Sequence, residues 1–315
     1  MPRPGPAPST RLVSAPPRLE GRVPLLDGRR LGYAEFGDPD GPLVLWFHGT
    51  PGARRQLPPA GRRAATDLGL RVVLVERPGV GESTDHAYRQ IGDWPADAIQ
   101  VADALGRERF CVVGLSGGGP YALACGARFP ERVVAIGILG GLVPITGDDG
   151  IGEGIVALSR PFNGILTALR RPLGRLVWGL LRATDPFGAQ LYGQFGRVMP
   201  EGDRTVLADP EIEAMFLDDL REGGRRQFQA IANDAVLFGR DWGFRLADVG
   251  VPVRWSHGDA DPFVSLEQAE AAIDRLPNAL LALRPGESHL GGFAEADHML
   301  EGMATLWDER VAAPA

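Results

Sequence analysis

From about residue 22 onward, short apolar runs alternate with longer stretches whose apolar residues recur at helical spacing. The runs 32–36, 43–47, 71–76, 110–113, 133–139, 251–256 and 279–283 have strand length and are built largely of aliphatic and aromatic residues. The later runs are too continuously apolar for a sheet with one wet face. With helices between them they predict parallel strands covered on both sides, which places the chain in the α/β class.

One segment breaks the alternation. From about 141 to 245 no strand pattern is found; helix-like apolar repeats are interrupted by Pro161, Pro172, Pro186, Pro200 and Pro210. Within it Leu173, Leu176, Val177, Leu180 and Leu181 are expected to share one helical face, with Arg171, Arg175 and Arg182 nearby. The plainer reading is a helix packed on the domain with a solvated basic edge. The sharper reading is a helical cap whose apolar face roofs a pocket. The expected organisation is a Pro-rich tail at 1–21, a core domain formed by 22–140 and 246–315, and a cap at 141–245, with no internal repeat.

Composition narrows the partners. A chain of 315 residues buries a large core as one domain with an inserted subdomain. A net charge of −7 leaves no basic footprint for nucleic acid. The two cysteines, Cys111 and Cys125, cannot build a disulfide framework, so a reducing compartment is expected and both are read as small packed side chains. The opening residues carry Pro2, Pro4, Pro6, Pro8, Pro16 and Pro17, too proline-rich for a helix and too polar for a signal peptide. The uncharged stretch 110–127 nearly reaches bilayer length, but Gly117-Gly118-Gly119-Pro120 divides it into strand and helix. A soluble cytoplasmic protein with no membrane partner is expected.

The chemistry concentrates at Gly114-Leu115-Ser116-Gly117-Gly118, between the strand at 110–113 and a helix from Pro120 to Arg128. Small residues two before and two after the serine let strand and helix backbones approach closely, and the tight turn lifts the hydroxyl above the sheet. The first amides of the helix then face whatever the serine attacks. A phosphate-binding loop is the competing reading. No lysine follows the glycines and no G-x-G-x-x-G pattern fits, which disfavours it.

A serine nucleophile needs a base, and the base needs an orienting carboxylate. Of five histidines, His289 lies in Pro285-Gly286-Glu287-Ser288-His289 just past the last strand, on a loop expected at the serine's sheet edge. His48 adjoins the loop after the strand 43–47 and is read as shaping it; His86, His257 and His298 need only surface or packing roles. The acid is sought after the strand at 251–256, where Gly258-Asp259-Ala260-Asp261 offers two candidates. Asp261 is preferred, because Asp259 lies closer to the strand and suits a turn-closing bond to its own backbone. After the earlier strand there is only Gly140-Gly141. For the oxyanion, the expected donors are the amide of Gly117 and that of Thr50 in His48-Gly49-Thr50-Pro51-Gly52, since Pro51 has no amide hydrogen.

These motifs, with Arg77-Pro78-Gly79-Val80-Gly81-Glu82-Ser83, resemble the α/β-hydrolase fold family, in its cap-bearing branch, over nearly all of the chain from residue 22. The order serine, acid, histidine matches. The resemblance implies an eight-stranded, mostly parallel sheet and a triad that uses no cofactor or metal; the Arg77–Ser83 stretch would wall the site. The chain departs mildly from the family in having Ser288, where glycine often precedes the histidine. Cap-bearing dehalogenases and epoxide hydrolases of this fold carry aspartate at the position of Ser116, so serine implies acyl transfer instead.

The resulting expectation is a carboxylic ester hydrolase acting on a small to medium hydrophobic substrate. Three alternatives share the constellation: a cofactor-free perhydrolase of haloperoxidase type, a natural-product methylesterase, thioesterase or cyclase, and a small-ligand receptor that keeps the fold with little turnover.

Overall fold

The computed structural model describes residues 12–151 and 163–312. Most of the expected proline-rich tail, residues 1–11, lies outside them. Residues 12–17 run along the surface, where the Arg62 guanidinium donates to Ser14 Oγ at 2.8 Å and to the Ala15 carbonyl. The sheet begins earlier than the expected tail boundary at 21, with β1 (Leu19–Pro24). Its sequence LEGRVP buries only Val23 fully, so it lacks the apolar run by which the other strands were found.

The remaining strands are β2 (Arg30–Gly37), β3 (Leu43–Phe47), β4 (Arg71–Val75), β5 (Phe110–Leu115), β6 (Val133–Leu139), β7 (Val253–Gly258) and β8 (Ala279–Arg284). They form one sheet of eight in the order β1-β2-β4-β3-β5-β6-β7-β8. The pairs β1/β2 and β2/β4 are antiparallel and all others parallel. β3, β5 and β6 are buried along their whole length, as their unbroken apolar sequences require. β7 starts two residues later than its apolar run. Pro252 has no N–H for the ladder, although its carbonyl still accepts the amide of Ile136.

Helices cover both faces. On one, Ala98, Val101 and Ala102 of α2 (Pro95–Ala104) and Tyr121 to Cys125 of α3 (Gly119–Arg128) pack with Phe47, Val73, Val112 and Ile136. On the other, Ala64 and Ala65 of α1 (Pro59–Asp67) meet Met299, Leu300 and Met303 of the C-terminal helix (Ala296–Trp307) against Trp46, Val72 and Val113. The chain thus has the α/β-hydrolase architecture.

Between β6 and β7 lie α4 (Asn163–Thr184), α5 (Gly188–Val198), α6 (Glu201–Leu207), α7 (Pro210–Gly223) and α8 (Ala230–Phe238). The five apolar residues expected to share one face of α4 divide between two. Val177 and Leu181, with Trp178, pack toward Ala53, Val80 and Phe228. Leu176 and Leu180 are 68 % and 61 % exposed. Positions three to four apart stack along a helix, so 173, 176 and 180 make one row and 177, 181 another.

The turn after β5 is the tightest joint of the fold. A Cβ on Gly118 would run into the backbone carbonyls of Phe47 and His48, and one on Gly114 into the backbone of Gly118 and Gly119. Gly118→Ala is therefore expected to cost about 3 kcal/mol by overpacking against backbone that cannot yield, read as a drop in urea unfolding free energy. A loss under about 0.5 kcal/mol would contradict this packing.

Candidate active site

Ser116 is the first residue past β5, and its backbone has φ +49°, the single non-glycine residue with positive φ among those described. This left-handed conformation costs an L-residue about 1–2 kcal/mol. It turns the chain from strand to helix within one residue and projects the hydroxyl from the carboxyl end of β5. Serine at this strained position, rather than glycine, points to a side chain that is needed there.

The loop after β8 brings His289 to it. Ser116 Oγ donates to His289 Nε2 at 2.7 Å, and His289 Nδ1 donates to Asp261 Oδ2 at 2.8 Å. An acceptor at Nδ1 fixes the tautomer that leaves Nε2 free to take the serine proton. Asp261 Oδ1 accepts the amides of Phe263 at 2.7 Å and Val264 at 3.1 Å, which clamps the carboxylate in the turn after β7. Burial pushes this carboxyl up, but the hydrogen bond and charge of His289, with the two amides, more than offset it and hold the group below the usual carboxylate range. Asp259 points elsewhere: its Oδ1 accepts the Gly286 amide at 2.7 Å and closes the neighbouring loop.

The other histidines have separate places. His257 is buried and donates from Nε2 to the Val264 carbonyl at 2.9 Å; burial lowers its pKa, which keeps the ring neutral as a prop for the Asp261 turn. His48 donates from Nδ1 to the Gly49 carbonyl at 2.8 Å and accepts the Arg77 amide at 3.2 Å. Burial, then the charge of Arg77, pushes its pKa well down. His86 stands edge-on to Tyr88, and His298 lies exposed near Glu295 and Asp297.

In the loop after β3, the Gly49 amide is already committed to Gln56 Oε1 at 2.6 Å, while Gln56 Nε2 donates to the Pro51 carbonyl at 2.9 Å. Pro51, joined to Thr50 by a cis peptide, has no N–H. Neither the Gly49 amide nor Pro51 can therefore serve as a free donor here, and Thr50 between them stands beside Gly117. The two residues are close neighbours, since a Cβ on Gly117 would meet the Thr50 side chain.

Three carboxylates of the inserted helices, which sequence reasoning did not single out, hold these loops. Asp234 of α8 accepts from Thr50 Oγ1 at 2.6 Å, from Arg77 Nη2 at 2.7 Å and from the Tyr121 hydroxyl at 2.6 Å. Arg77 also donates to the carbonyls of His48 at 2.6 Å and Gly49 at 3.0 Å. Asp219 of α7 accepts the amides of Arg55 at 2.8 Å and Ala53 at 2.9 Å. Burial pushes the Asp219 carboxyl up to about 7 against the pull of those amides. Asp203 of α6 accepts the Leu290 amide, next to the base, at 2.7 Å.

Above the serine lies a cavity of about 1100 Å³, lined among others by Leu142, Tyr192, Phe216, Phe238, Phe263 and Phe293. Among the described residues no cluster of His, Cys, Asp and Glu has the makings of a metal site. Cys111 and Cys125 are buried and free, and burial pushes the Cys111 thiol up to about 12, far from a reactive thiolate.

The sequence model of the alpha/beta hydrolase fold family matches residues 42–296, which span both halves of the sheet and the loops of Thr50, Ser116, Asp261 and His289. The chain belongs to the α/β-hydrolase family. This hydrolase is 28% identical over 242 residues to a 2-hydroxy-6-oxononadienedioate/2-hydroxy-6-oxononatrienedioate hydrolase of a Pseudomonas species, covering 70% of this chain and 78% of that one. It is 34% identical over 117 residues to a proline iminopeptidase of Xylella fastidiosa, a match of 36% of this chain and 37% of the other. A thermophilic esterase from Thermogutta terrifontis superposes with a TM-score of 0.63 at 18% identity, covering 92% and 98% of the two chains, which is a likeness of fold.

The two neighbouring aspartates separate by experiment. Asp261→Asn is expected to lower hydrolytic turnover by about 10⁴-fold, since the amide no longer fixes the reactive tautomer. Asp259→Asn, which touches only the Gly286 loop, is expected to lower it less than about tenfold. Equal losses would mean that His289 does not depend on Asp261.

Proposed function

We propose that this hydrolase cleaves carboxylic esters of hydrophobic acids or alcohols through an acyl-enzyme on Ser116. The observation that carries this reading is the continuous hydrogen-bonded line Ser116–His289–Asp261, with separations of 2.7 and 2.8 Å, at the floor of a mostly apolar cavity. In the proposed reaction Ser116 Oγ attacks the ester carbonyl as its proton passes to His289 Nε2. The oxyanion is met by the amides of Gly117 and Thr50, each such donor being worth about 2.7–4 kcal/mol in the transition state. The imidazolium, stabilised by Asp261, returns the proton to the departing alkoxide. Water then enters, loses a proton to His289 and attacks the acyl group, and the acid leaves as Ser116 recovers its hydrogen.

A second reading has a specific observation in its favour. Arg182, Arg221 and Arg225 line the cavity, the last two paired with Asp185 and Glu222. They would suit an anionic oxo acid of the kind named for the Pseudomonas relative.

A panel of p-nitrophenyl esters of increasing acyl length, run beside a 2-hydroxy-6-oxo dienedioate, tests the choice. Efficient turnover of the esters is expected, with kcat lowered by on the order of 10⁴–10⁶-fold in Ser116→Ala. Turnover of the dienedioate alone would overturn the ester reading, and ester turnover that survives Ser116→Ala would overturn the nucleophile.

A further inference from the structure

The helices α4 and α5 turn two apolar rows toward solvent. On α4, Ile165, Leu169, Leu176 and Leu180 are exposed and successively four or seven residues apart, so they stack along one side of the helix. Phe187, Leu191, Phe195 and Val198 repeat the pattern before and along α5. Scattered exposed leucines need no explanation, but eight large apolar residues in two periodic rows on consecutive helices do. The charge of the same segment is also unusual. Between Asn163 and Pro200 the sequence carries five arginines and one acid, Asp185, in a chain whose net charge is −7. Asp185 is itself paired with Arg221 at 2.5 Å. Arg171, Arg175 and Arg182 are exposed beside the α4 row.

We propose that this face docks on an anionic lipid surface. An apolar row flanked by arginines on a helix without acids is the composition of a helix that lies in the interface of a bilayer, apolar side down and guanidinium groups at the headgroups. A second copy of this chain is a poorer occupant. A symmetric pairing of the face with itself would bring the two arginine sets together, where like charges repel. The expectation of no membrane partner drew on the absence of a spanning segment. Among the described residues no helix is long and apolar enough to cross a membrane, which does not bear on a helix that lies flat on one.

The face is continuous with the mouth of the cavity. Leu191 and Phe195 are exposed members of the α5 row and also line the cavity that reaches Ser116, as do Leu181 and Arg182 at the end of α4. Docking would set this mouth against the lipid, so that an amphiphile passes into the cavity without crossing water.

Sedimentation of the full chain with vesicles tests the proposal, comparing phosphatidylglycerol–phosphatidylcholine mixtures with phosphatidylcholine alone at low and high salt. Binding is expected to the anionic vesicles, weakened by salt and by about fivefold for each arginine removed in Arg171→Gln/Arg175→Gln. Leu176→Glu/Leu180→Glu is expected to weaken it at least tenfold while leaving turnover of a water-soluble short ester unchanged, which confirms folding. Ser116→Ala is expected to bind as the wild type does, so this test stands apart from that of the ester chemistry. No binding to any vesicle, or equal binding by wild type and Leu176→Glu/Leu180→Glu, would overturn the proposal. A concentration-dependent dimer that the leucine variant abolishes would overturn it in favour of a second copy.

Discussion

The left-handed turn at Ser116 is the constraint on which the rest of the site depends. It exists because Gly114 and Gly118 let β5, β3 and the start of α3 close to backbone contact, leaving no room for a Cβ. The strain of a serine at φ +49° is held by this packing rather than by any bond of its own side chain to the turn. Once the hydroxyl stands at the carboxyl end of β5, parallel topology does the remaining work. The loops after β3, β7 and β8 leave the sheet at the same edge, so the Thr50 loop, Asp261 and His289 converge without long excursions.

The inserted helices contribute more than a roof. Asp234 and Asp219 both reach down to the loop after β3, the first at the Thr50 side chain with Arg77 and the second at the amides of Ala53 and Arg55, while Asp203 holds the amide of Leu290 in the loop after β8. Buried carboxylates are costly unless their oxygens are satisfied, and backbone amides do so for Asp219, a guanidinium and two hydroxyls for Asp234. These contacts couple the placement of the helices to the shape of the loop after β3 and to the loop that carries His289. At Asp219 burial outweighs the pull of those two amides and brings the carboxyl up to about 7.

What was legible in the sequence was short in range. The buried strands announced themselves as apolar runs, and Ser116, Asp261 and His289 each sat just past one of them. β1 was missed because an edge strand with one fully buried residue carries no such run. The three inserted aspartates were missed because nothing local marks them. Asp234 lies 184 residues from Thr50 and Asp219 lies 166 from Ala53, so only the folded chain reveals the pairing. The helical repeat of α4 was visible, yet its two rows read as one face. Their division into an inward row with Val177 and Leu181 and an outward row with Leu176 and Leu180 depends on how the helix is rolled against its neighbours.

The central claim is that the turn presents Ser116 to His289 as an activated nucleophile. Its most direct test is peptide mass spectrometry after reaction with a fluorophosphonate, which transfers its phosphonyl group to an activated serine and releases fluoride. The account predicts one adduct per chain, on the peptide containing Ser116, forming far more slowly in His289→Ala. An adduct on another residue, or one on Ser116 that forms equally fast without His289, would contradict it.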